Sequence, residues 1–563
     1  MPDSSRLPGD DRPPPRVAPA GPRGCERHQL RGHRQFTCSP VRRPSHLHSG
    51  AHAVRIHRPA ILQSSIRKYL TRSAAPVTAL LALGCSPHAL RPEVTPEVPI
   101  PEAFATDWDP EVSSPSDWWT SFEDAGLDEA VTTAFQGNLG LRQAWARLAQ
   151  AQAQAGVSGS FLYPQVDINA GAGRSKSVFD VTGQQFFDNR YSVGLGLSWE
   201  LDLWRKIANR AEAATLLALA SRDDAETTAL LLSGGVTDAW FSIQAQAALV
   251  RLLEVQLASS RTLLELVELR YGRGVGTALQ VLQQRLQVES VESELPDILT
   301  RLAIARNELA VLIGVPPSLL DDTGFDPGDL LPALPPSPRL PSPRQLLERR
   351  PDLRASLARV AAADREIAVA VADSLPSIRL SLSGGFQSGK GATLLDEPIW
   401  SVAGNLVQPF FDAGRRGAEV DRREAILRER LESFSERFLV ALREVEDALI
   451  RERNQILLLE QVQSQVETAR AALEESELLF ANGQTEYLDV ITAIQALQRL
   501  ERQEIAVRQG LLSNRARLHL ALGGDWTLDL EPPVERPLAP GTISPDPSET
   551  SLQTVLIIPD ADA

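Results

Sequence analysis

Much of this chain consists of one segment that occurs twice, and this duplication limits what the chain can fold into. Gly274–Gly314 aligns without gaps on Gly483–Gly523 at a constant offset of 209 residues. Further upstream the offset becomes 212 and pairs Pro164 with Pro376. A repeat of this length predicts one duplicated structural unit, with a three-residue indel in a loop tip between residues 164 and 192. Identical residues at the 209 offset include Leu279/Leu488, Val281/Val490, Glu292/Glu501, Leu302/Leu511, Arg306/Arg515 and Leu309/Leu518.

Each copy contains two segments in which apolar and polar residues alternate. In the first copy Val166, Ile168 and Ala170 alternate with polar side chains, and Tyr191–Leu203 continues the same pattern. A period of two over ten or more residues, with one polar face, is typical of transmembrane β-strands. Strands of a soluble sandwich would alternate too, but four strands cannot cover two faces or close on themselves. The expected strands lie at about 163–173, 191–204, 376–386 and 399–410.

Both copies then contain a long helical segment with a heptad repeat. Its inward positions step by three and four residues, which is the packing pattern of coiled coils. The second copy reads Leu459, Val462, Val466, Ala469, Leu473, Ser476 and Phe480, and the first reads Val250, Leu253, Leu257, Ser260, Leu264, Val267 and Tyr271. An unbroken helix from Arg205 to Arg270 would be about 100 Å long. Ser233-Gly234-Gly235 predicts a local bend within it, because glycine weakens a helix.

The charge of the chain is unevenly distributed. Residues 1–84 carry fourteen Lys and Arg against four Asp and Glu, a balance of +10, whereas the remainder carries 43 against 68, a balance of −25. From Cys85 onward there are one cysteine and two histidines, His88 and His519. These counts exclude a Cys/His zinc site, a disulfide framework and a uniformly basic nucleic-acid-binding surface. They also leave few residues for acid–base or triad catalysis, so we expect no enzyme and no cofactor.

Cys85 follows a segment with the features of a secretion signal. A basic stretch, Ile66–Arg72, precedes ten apolar residues, Ala74–Leu83, which are too few to span a bilayer as a helix. Leu83-Gly84-Cys85 resembles a bacterial lipobox, in which the cysteine becomes the acylated first residue of the mature chain. We therefore expect lipidation at Cys85, and a buried structural cysteine is the alternative. Residues 1–65 are expected to be disordered or an over-extended gene start.

Five short motifs together carry a family resemblance over about Cys85–Leu530. They are Asp117–Asp124, Trp199–Trp204, Ala310–Gly314, Pro409–Arg415 and Arg443–Leu449. In these motifs the chain resembles the outer-membrane efflux protein family (TolC type), in its lipoprotein branch that serves resistance-nodulation-division pumps. The chain departs from the family pattern at Ala125, Arg205 and Gly234-Gly235, positions that leave the overall layout unchanged.

The resemblance implies a homotrimer whose chains each give four strands to a shared twelve-stranded barrel and their helices to a long periplasmic tube. The number of strands independently favours a barrel shared between chains, because four strands cannot close and open strand edges cannot face lipid. The implied fold class is mainly α with transmembrane β, built as a tandem repeat. The expected segments are a signal peptide at 66–84, an N-terminal equatorial segment at 85–123, repeats at 124–314 and 344–524, a Pro-rich connection at 315–343 and a polar tail at 525–563.

By the same resemblance, the chain is expected to be the exit duct of a tripartite efflux system, anchored by lipid in the outer membrane. Its implied partners are a periplasmic adaptor, an inner-membrane pump and outer-membrane lipid, with no nucleic acid. Substrates would pass by diffusion once the helical end opens. Two alternatives stay open at this point: an exit duct for type I secretion of polypeptides, and a coiled-coil scaffold of the envelope without transport.

Two helix-to-helix turns contain the candidate functional residues. In the second turn Glu486 and Asp489 lie one helical turn apart, and three copies in a trimer would form an acidic ring that constricts a pore. A solvated charged turn is the alternative, and Thr492 stands where some relatives carry a second acid. A second hypothesis is that both turns contact the adaptor. The alternative is that their glycines only supply the positive φ that such turns require. The candidate adaptor-contact residues are Gly274, Val275, Gly276, Thr277, Gly483, Gln484 and Thr485.

Overall fold

The structure is a computed structural model of the 563-residue chain. It describes residues 87–91, 94–106, 108, 117–178 and 185–532, all of which belong to one compact unit, residues 75–563. The expected extension at 1–65, the signal peptide at 66–84 and the proposed lipidation site Cys85 lie outside the described residues, as does most of the C-terminal tail.

The described residues form two copies of one arrangement of helices and strands. The helices are α1 (Ala125–Gly137), α2 (Leu139–Ser160), α3 (Lys206–Gly272), α4 (Ala278–Ile313), α5 (Pro351–Ala372), α6 (Arg415–Ala481) and α7 (Tyr487–Leu522). The strands are β1 (Gln165–Val178), β2 (Gln185–Leu201), β3 (Ser377–Ser388) and β4 (Pro398–Val407). Both ends of α6 and α7 lie 209 residues after those of α3 and α4, and α5 follows α2 by 212. The duplication in sequence is therefore a duplication of structure.

Short single turns connect these elements. Most are 3₁₀ turns, and one is a four-residue turn of α-helix. The 3₁₀ turns are Trp118–Phe122, Pro317–Leu319, Asp321–Thr323, Pro343–Gln345, Gly391–Thr393 and Asp525–Asp529, and the α-helical turn is Leu346–Arg349. Four of them lie between α4 and α5, in or directly after the proline-rich connection, because proline interrupts a long helix.

The four strands form one antiparallel sheet in the order β1-β2-β3-β4. Gln165 pairs with Ser198 in the first hairpin, and Ser377 pairs with Val407 in the second. These pairs are related by the same two offsets, 212 and 209, so both hairpins share one register and their three-residue difference falls at the tips. β1 and β2 extend into the polar stretch 174–190 that the sequence suggests is a loop, because backbone pairing does not require apolar side chains.

The register separates apolar and polar side chains onto opposite faces of the sheet. Val166, Leu197, Leu382 and Val402 form one cross-strand row, and the neighbouring row on the other face is Asp167, Gly196, Ser383 and Ser401. Side chains of the apolar face are widely accessible; Ile168 and Trp400 are each 78% exposed. An exposed apolar surface of this kind requires an apolar medium or a partner.

The long helices pack as two hairpins, α3 with α4 and α6 with α7, and α3 also contacts α5 and α7. The heptad positions predicted from sequence are buried or half-buried, with the exception of Tyr271. Tyr271 is 52% exposed, whereas its equivalent Phe480 is 8% exposed. α3 remains helical through Ser233–Gly235, where the sequence predicts a bend. A Cβ atom on Gly234 would lie 2.3 Å from Leu520 Cδ1, so this glycine lets α3 and α7 approach closely.

The tryptophan motif before α1 lies in the main hydrophobic core. Trp118 and Trp119 are 2% and 5% exposed and pack with Trp240 of α3 in one cluster. Asp124 accepts hydrogen bonds from the backbone of Gly126 and Leu127, at 3.0 and 3.1 Å, and thereby caps α1. Its other carboxylate oxygen accepts from Trp240 Nε1 at 2.8 Å. One aspartate therefore starts α1 and attaches it to α3.

A buried ion pair fixes the proline-rich connection between the two copies. Arg515 and Glu452 are 1% and 0% exposed, and two guanidinium nitrogens of Arg515 donate to the Glu452 carboxylate. The third nitrogen donates to the carbonyl oxygens of Pro335 and Pro336. Because all of these polar groups have partners, the connection packs on α6 and α7 without leaving a buried charge unpaired.

Candidate pore constriction at the helical tips

The turn between α3 and α4 is a compact cap with a glycine in the left-handed region. Gly274 has φ +76°, which a residue with a Cβ rarely adopts. The Val275 backbone N–H donates to the Arg270 carbonyl at 3.0 Å and closes the end of α3. Thr277 then caps α4 reciprocally with Gln280, through bonds of 3.0 and 3.4 Å. The first tip is thus fixed by backbone and side-chain capping.

The turn between α6 and α7 repeats this backbone with different side chains. Gly483 has φ +71°, and the Gln484 N–H donates to the Leu479 carbonyl at 2.9 Å, as Val275 does to Arg270. At the start of α7, however, the N-cap residue is Glu486, whose side chain makes no capping bond. The two tips therefore share one backbone conformation, but a side chain caps the following helix only at the first tip.

The two candidate acids lie together at this second tip. Both Glu486 and Asp489 are exposed, and the Asp489 N–H donates to the Glu486 carbonyl at 3.2 Å. Thr485 Oγ1 donates to the Asp489 carboxylate and holds it at the first turn of α7. Negative charge at a helix N-terminus is favoured by the helix dipole. The arrangement presents two carboxylates and a hydroxyl to the solvent beyond the end of the helices.

A contact between the two tips was not identified from sequence. Tyr487 of α7 is 1% exposed, and its hydroxyl donates to Gln284 Oε1 of α4 at 2.5 Å. Burial raises the pKa of the Tyr487 hydroxyl, so the group stays a donor. The Arg270 guanidinium lies 4.5 Å from the centroid of the Phe480 ring, a cation–π contact between α3 and α6. Within one chain the two helical hairpins are therefore joined at their tips.

Buried glutamines continue this connection along the helices. Gln287 Nε2 donates to Gln498 Oε1, and Gln495 Nε2 donates to Gln287 Oε1, both at 2.8 Å. Further from the tip, Gln256 Nε2 donates to the Glu501 carboxylate at 3.0 Å. Polar residues at inward positions of an otherwise apolar seam are the sequence signal for such a network. The heptad positions predicted from the sequence contain apolar and aromatic residues and two serines, Ser260 and Ser476, and none of these glutamines.

The sheet contributes a second polar surface, at the opposite ends of the long helices. Its polar face includes Asp167, Asn169 and Asn405, together with an ion pair in which Arg379 Nη2 lies 3.1 Å from Glu200 Oε2. In the described part of the chain, no helix is both long and apolar enough to cross a bilayer. Over the same residues, no group of three or more His, Cys, Asp or Glu side chains could hold a metal ion.

Comparisons with known proteins agree with this architecture. The family model described as outer membrane efflux protein matches residues 130–315 and 342–524, one match for each copy of the repeat. The pyoverdine export outer membrane protein OpmQ of Pseudomonas aeruginosa is 32% identical over 421 residues, which are 73% of this chain and 88% of that protein. The probable outer membrane lipoprotein SilC of Salmonella typhimurium is 27% identical over 464 residues, 80% of this chain and 97% of that protein.

Solved structures show the same fold. The outer-membrane channel OprN superposes with a TM-score of 0.73 at 26% sequence identity, and the match covers 79% of this chain and all of that one. The family match extends over both repeats and therefore includes the strands, the long helices and both tips. The chain belongs to the outer membrane efflux protein family, and it is the outer-membrane channel of a tripartite efflux system.

Proposed function

We propose that the channel works as a lipid-anchored homotrimer with one shared twelve-stranded barrel, through which substrates diffuse passively out of the periplasm. The observation that carries this proposal is the two-sided sheet: one face carries apolar side chains in all four strands, and the other carries mainly polar residues and glycine in β1, β2 and β3 and Ser401 and Asn405 in β4. Within the described residues β1 and β4 each pair on one side only, and unpaired strand edges are unstable in lipid. Three chains of four strands supply twelve, an even number of the kind found in such barrels.

In this trimer the second tip would narrow the pore. Three copies of Asp489 and Glu486 bring six carboxylates to one level, which favours cations and obstructs larger solutes. The hydrogen bond from Thr485 supports a fixed position for Asp489. Opening would then require the α6–α7 tip to move outward while α3 and α4 stay in place. The energy for export comes from the pump, and the channel itself only opens and conducts.

Conductance in planar bilayers tests the constriction. We expect Asp489→Ala to raise single-channel conductance and to weaken block by divalent cations, because it removes one carboxylate ring. Glu460→Ala is the matched control, since Glu460 is an exposed acid of α6 far from the tip. If the protein is trimeric in detergent and Asp489→Ala has the conductance of the unaltered channel, Asp489 does not constrict the pore, whereas the proposed trimeric channel is unaffected. A monomeric mass without conductance would refute the proposed trimer.

The two tips are also the proposed contact with a periplasmic adaptor. Three apolar or aromatic side chains at the first tip, Tyr271, Val275 and Leu279, are 52%, 68% and 63% exposed, and a group of this kind is typical of a surface that a partner covers. The surrounding candidate residues, Gly274, Gly276 and Thr277, and their counterparts Gly483, Gln484 and Thr485, lie at the same ends of the helical hairpins. Cysteine placed at Thr277 should crosslink to the adaptor in an active pump. No crosslink in an active pump, with cysteine at Glu460 as the background control, would contradict the contact.

Membrane attachment through Cys85 completes the proposal. The resemblance of Leu83-Gly84-Cys85 to a lipobox supports it, and one relative, SilC, is itself described as a probable outer membrane lipoprotein. Mass spectrometry of the mature N-terminus should find an acylated Cys85 with nothing upstream of it. A retained residue before Cys85, or a mature chain whose Cys85 carries no acyl group, would refute the anchor.

A further inference from the structure

The outward face of the β1–β2 hairpin changes character abruptly near its tip. On this face the apolar side chains of β2 run from Leu201 to Tyr191, and Ala172 of β1 pairs with Tyr191 in the last apolar row. The next two rows toward the tip contain Arg174 opposite Asn189, and Lys176 opposite Phe187. Two cations therefore follow directly after the apolar band, on the face that is directed at lipid in the proposed barrel.

The height of the apolar band matches the hydrocarbon layer. Ten residues separate Leu201 from Tyr191, which corresponds to about 33 Å along a strand and about 23 Å of height at a tilt near 45°. Transmembrane barrels carry an apolar band of about 25 Å. Arg174 and Lys176 lie one and two rows further, or about 5 and 9 Å above the band. This is the level of the lipid headgroups.

The two cations are arranged around one aromatic ring. The Arg174 guanidinium carbon lies 4.9 Å from the Phe187 ring centroid, and Lys176 Nζ lies 5.8 Å from it. Cation–π contacts of this kind restrict long side chains without neutralising them. Among the described residues neither cation has a carboxylate within ion-pair distance. Among the described residues of the hairpin, Asp188 is paired with Ser175, between the rows of the two cations, but it lies on the polar face, and its carboxylate is 3.9 Å from Arg190.

The second copy of the repeat has no such pair. Phe386 and Ser388 occupy the positions of β3 that correspond to Arg174 and Lys176. One cation, Lys390, follows β3 two residues after Ser388 and corresponds to Val178. Two cations around one aromatic ring are therefore found only at β1 among the described strands, and they are repeated three times around the proposed trimer.

We propose that Arg174 and Lys176 bind the phosphate groups of lipid headgroups in the outer leaflet of the membrane. Arginine offers two parallel donors to a phosphate, and lysine adds a point charge beside it. Phe187, which is 57% exposed and lies in the row of Lys176, packs against the lipid beside the phosphate. The assignment rests on the proposed barrel, in which the hairpin tips face outward and the helices lie in the periplasm. The contact fixes the depth of the barrel and surrounds it with phosphorylated lipid.

Lipid binding by the full-length trimer in non-ionic detergent tests this assignment. The probes are lipid A with two phosphates and the same lipid with both phosphates removed, compared by native mass spectrometry. We expect the chain to prefer the phosphorylated probe and Arg174→Gln with Lys176→Gln to weaken its binding about 25-fold, near 5-fold for each charge. Arg190→Gln with Arg379→Gln is the matched control, because it removes the same charge from the polar face of the sheet.

Three outcomes would overturn the lipid assignment. They are equal affinity for the two probes, an equal loss of affinity in the control variant, and full displacement of the lipid by inorganic phosphate, which would assign the cations to a soluble anion. Conductance and trimeric mass are measured on the same preparations. If a conducting trimer shows no preference for phosphate, the lipid assignment alone fails. If no conducting trimer forms, the barrel on which the assignment rests fails as well.

Discussion

Gly234 and Gly235 are adjacent glycines in the middle of α3, and the structure predicts opposite effects for alanine at the two positions. A Cβ on Gly234 would lie 2.3 Å from Leu520 Cδ1 and 3.1 Å from Leu520 Cγ. A Cβ on Gly235 would lie 3.6 Å from the nearest atom, Leu312 Cδ2, which is an ordinary van der Waals distance. Because both substitutions add one methyl group to the same helix, each serves as the control for the other.

The expected magnitudes follow from two opposing contributions. Replacing glycine by alanine in a helix interior stabilises it by about 1 kcal/mol. At Gly235 this gain is unopposed, so Gly235→Ala should raise the free energy of unfolding by about 1 kcal/mol. At Gly234 the new methyl group forces Leu520 out of its position, and overpacking of this kind costs about 1–3 kcal/mol. Gly234→Ala should therefore lie about 1–3 kcal/mol below Gly235→Ala.

Thermal unfolding of the purified protein at one fixed scan rate measures the difference. For a cooperative unit of about 450 residues, 1 kcal/mol corresponds to about 1 °C in Tm. Leu520→Ala should remove the penalty of Gly234→Ala but leave the effect of Gly235→Ala unchanged, a coupling that a double-mutant cycle detects. If Gly234→Ala raised Tm as much as Gly235→Ala, close packing of α3 on α7 would not be the reason for this glycine.

Three further predictions concern single residues. Arg205 lies in the left-handed region at φ +56°, so Arg205→Gly should be more stable than Arg205→Ala by about 1 kcal/mol in thermal unfolding. Both variants lose the 2.7 Å ion pair to Glu212, so that loss cancels in the comparison, and equal Tm values would contradict the prediction. Burial lowers the pKa of His519 from 6.5 to about 3, so the folded protein holds this imidazole neutral. Its contribution to the free energy of unfolding is complete above pH 6.5 and decreases as the pH falls, by about 2 kcal/mol at pH 5. The difference between the Tm at pH 7.5 and the Tm at pH 5.0 should therefore be smaller in His519→Leu, and an unchanged difference would refute the argument. Tyr487→Phe leaves Gln284 Oε1 without its donor inside the tip, which should cost about 1–3 kcal/mol. The variant should open more often in planar bilayers, and an unchanged opening frequency would show that this hydrogen bond does not hold the tip closed.

The sequence repeat predicted the architecture well, because a duplication fixes the order of the elements, their lengths and the pairing of the strands in both copies. The offsets of 209 and 212 that align glycines and prolines also relate the ends of α3 and α6 and the registers of the two hairpins. Alternation predicted four strands near their observed positions, since a face in contact with lipid must be apolar at every second residue. The family match over both repeats confirmed the resemblance drawn from the short motifs.

The remaining features depend on contacts between distant residues. Tyr487 and Gln284 are 203 residues apart, and nothing in the local pattern around either one indicates the other. Helix propensity, which considers one helix alone, predicts a bend in α3 at Gly234. The close approach of Leu520 from α7, which leaves no room for a Cβ atom there, can be recognised only from the packed structure. Toward the hairpin tips the strands extend beyond their expected ends for a related reason, since cross-strand pairing continues through Arg174 and Lys176 without apolar alternation. At the other end of the sheet the expected bounds were too long, because β2 ends at Leu201 and β4 at Val407.

The two tips show how a duplicated unit acquires distinct parts. Their backbones agree, with glycines at φ +76° and +71° and the same closing hydrogen bonds. Their side chains differ: Thr277 and Gln280 form a capping box at one tip, whereas Glu486 caps nothing and Asp489 is held by Thr485 at the other. A capping bond contributes about 1 kcal/mol. The start of α4 is therefore better capped than the start of α7, and in the proposed trimer the two acids lie at the helix start without a side-chain cap, where we expect a small displacement to change the width of the pore.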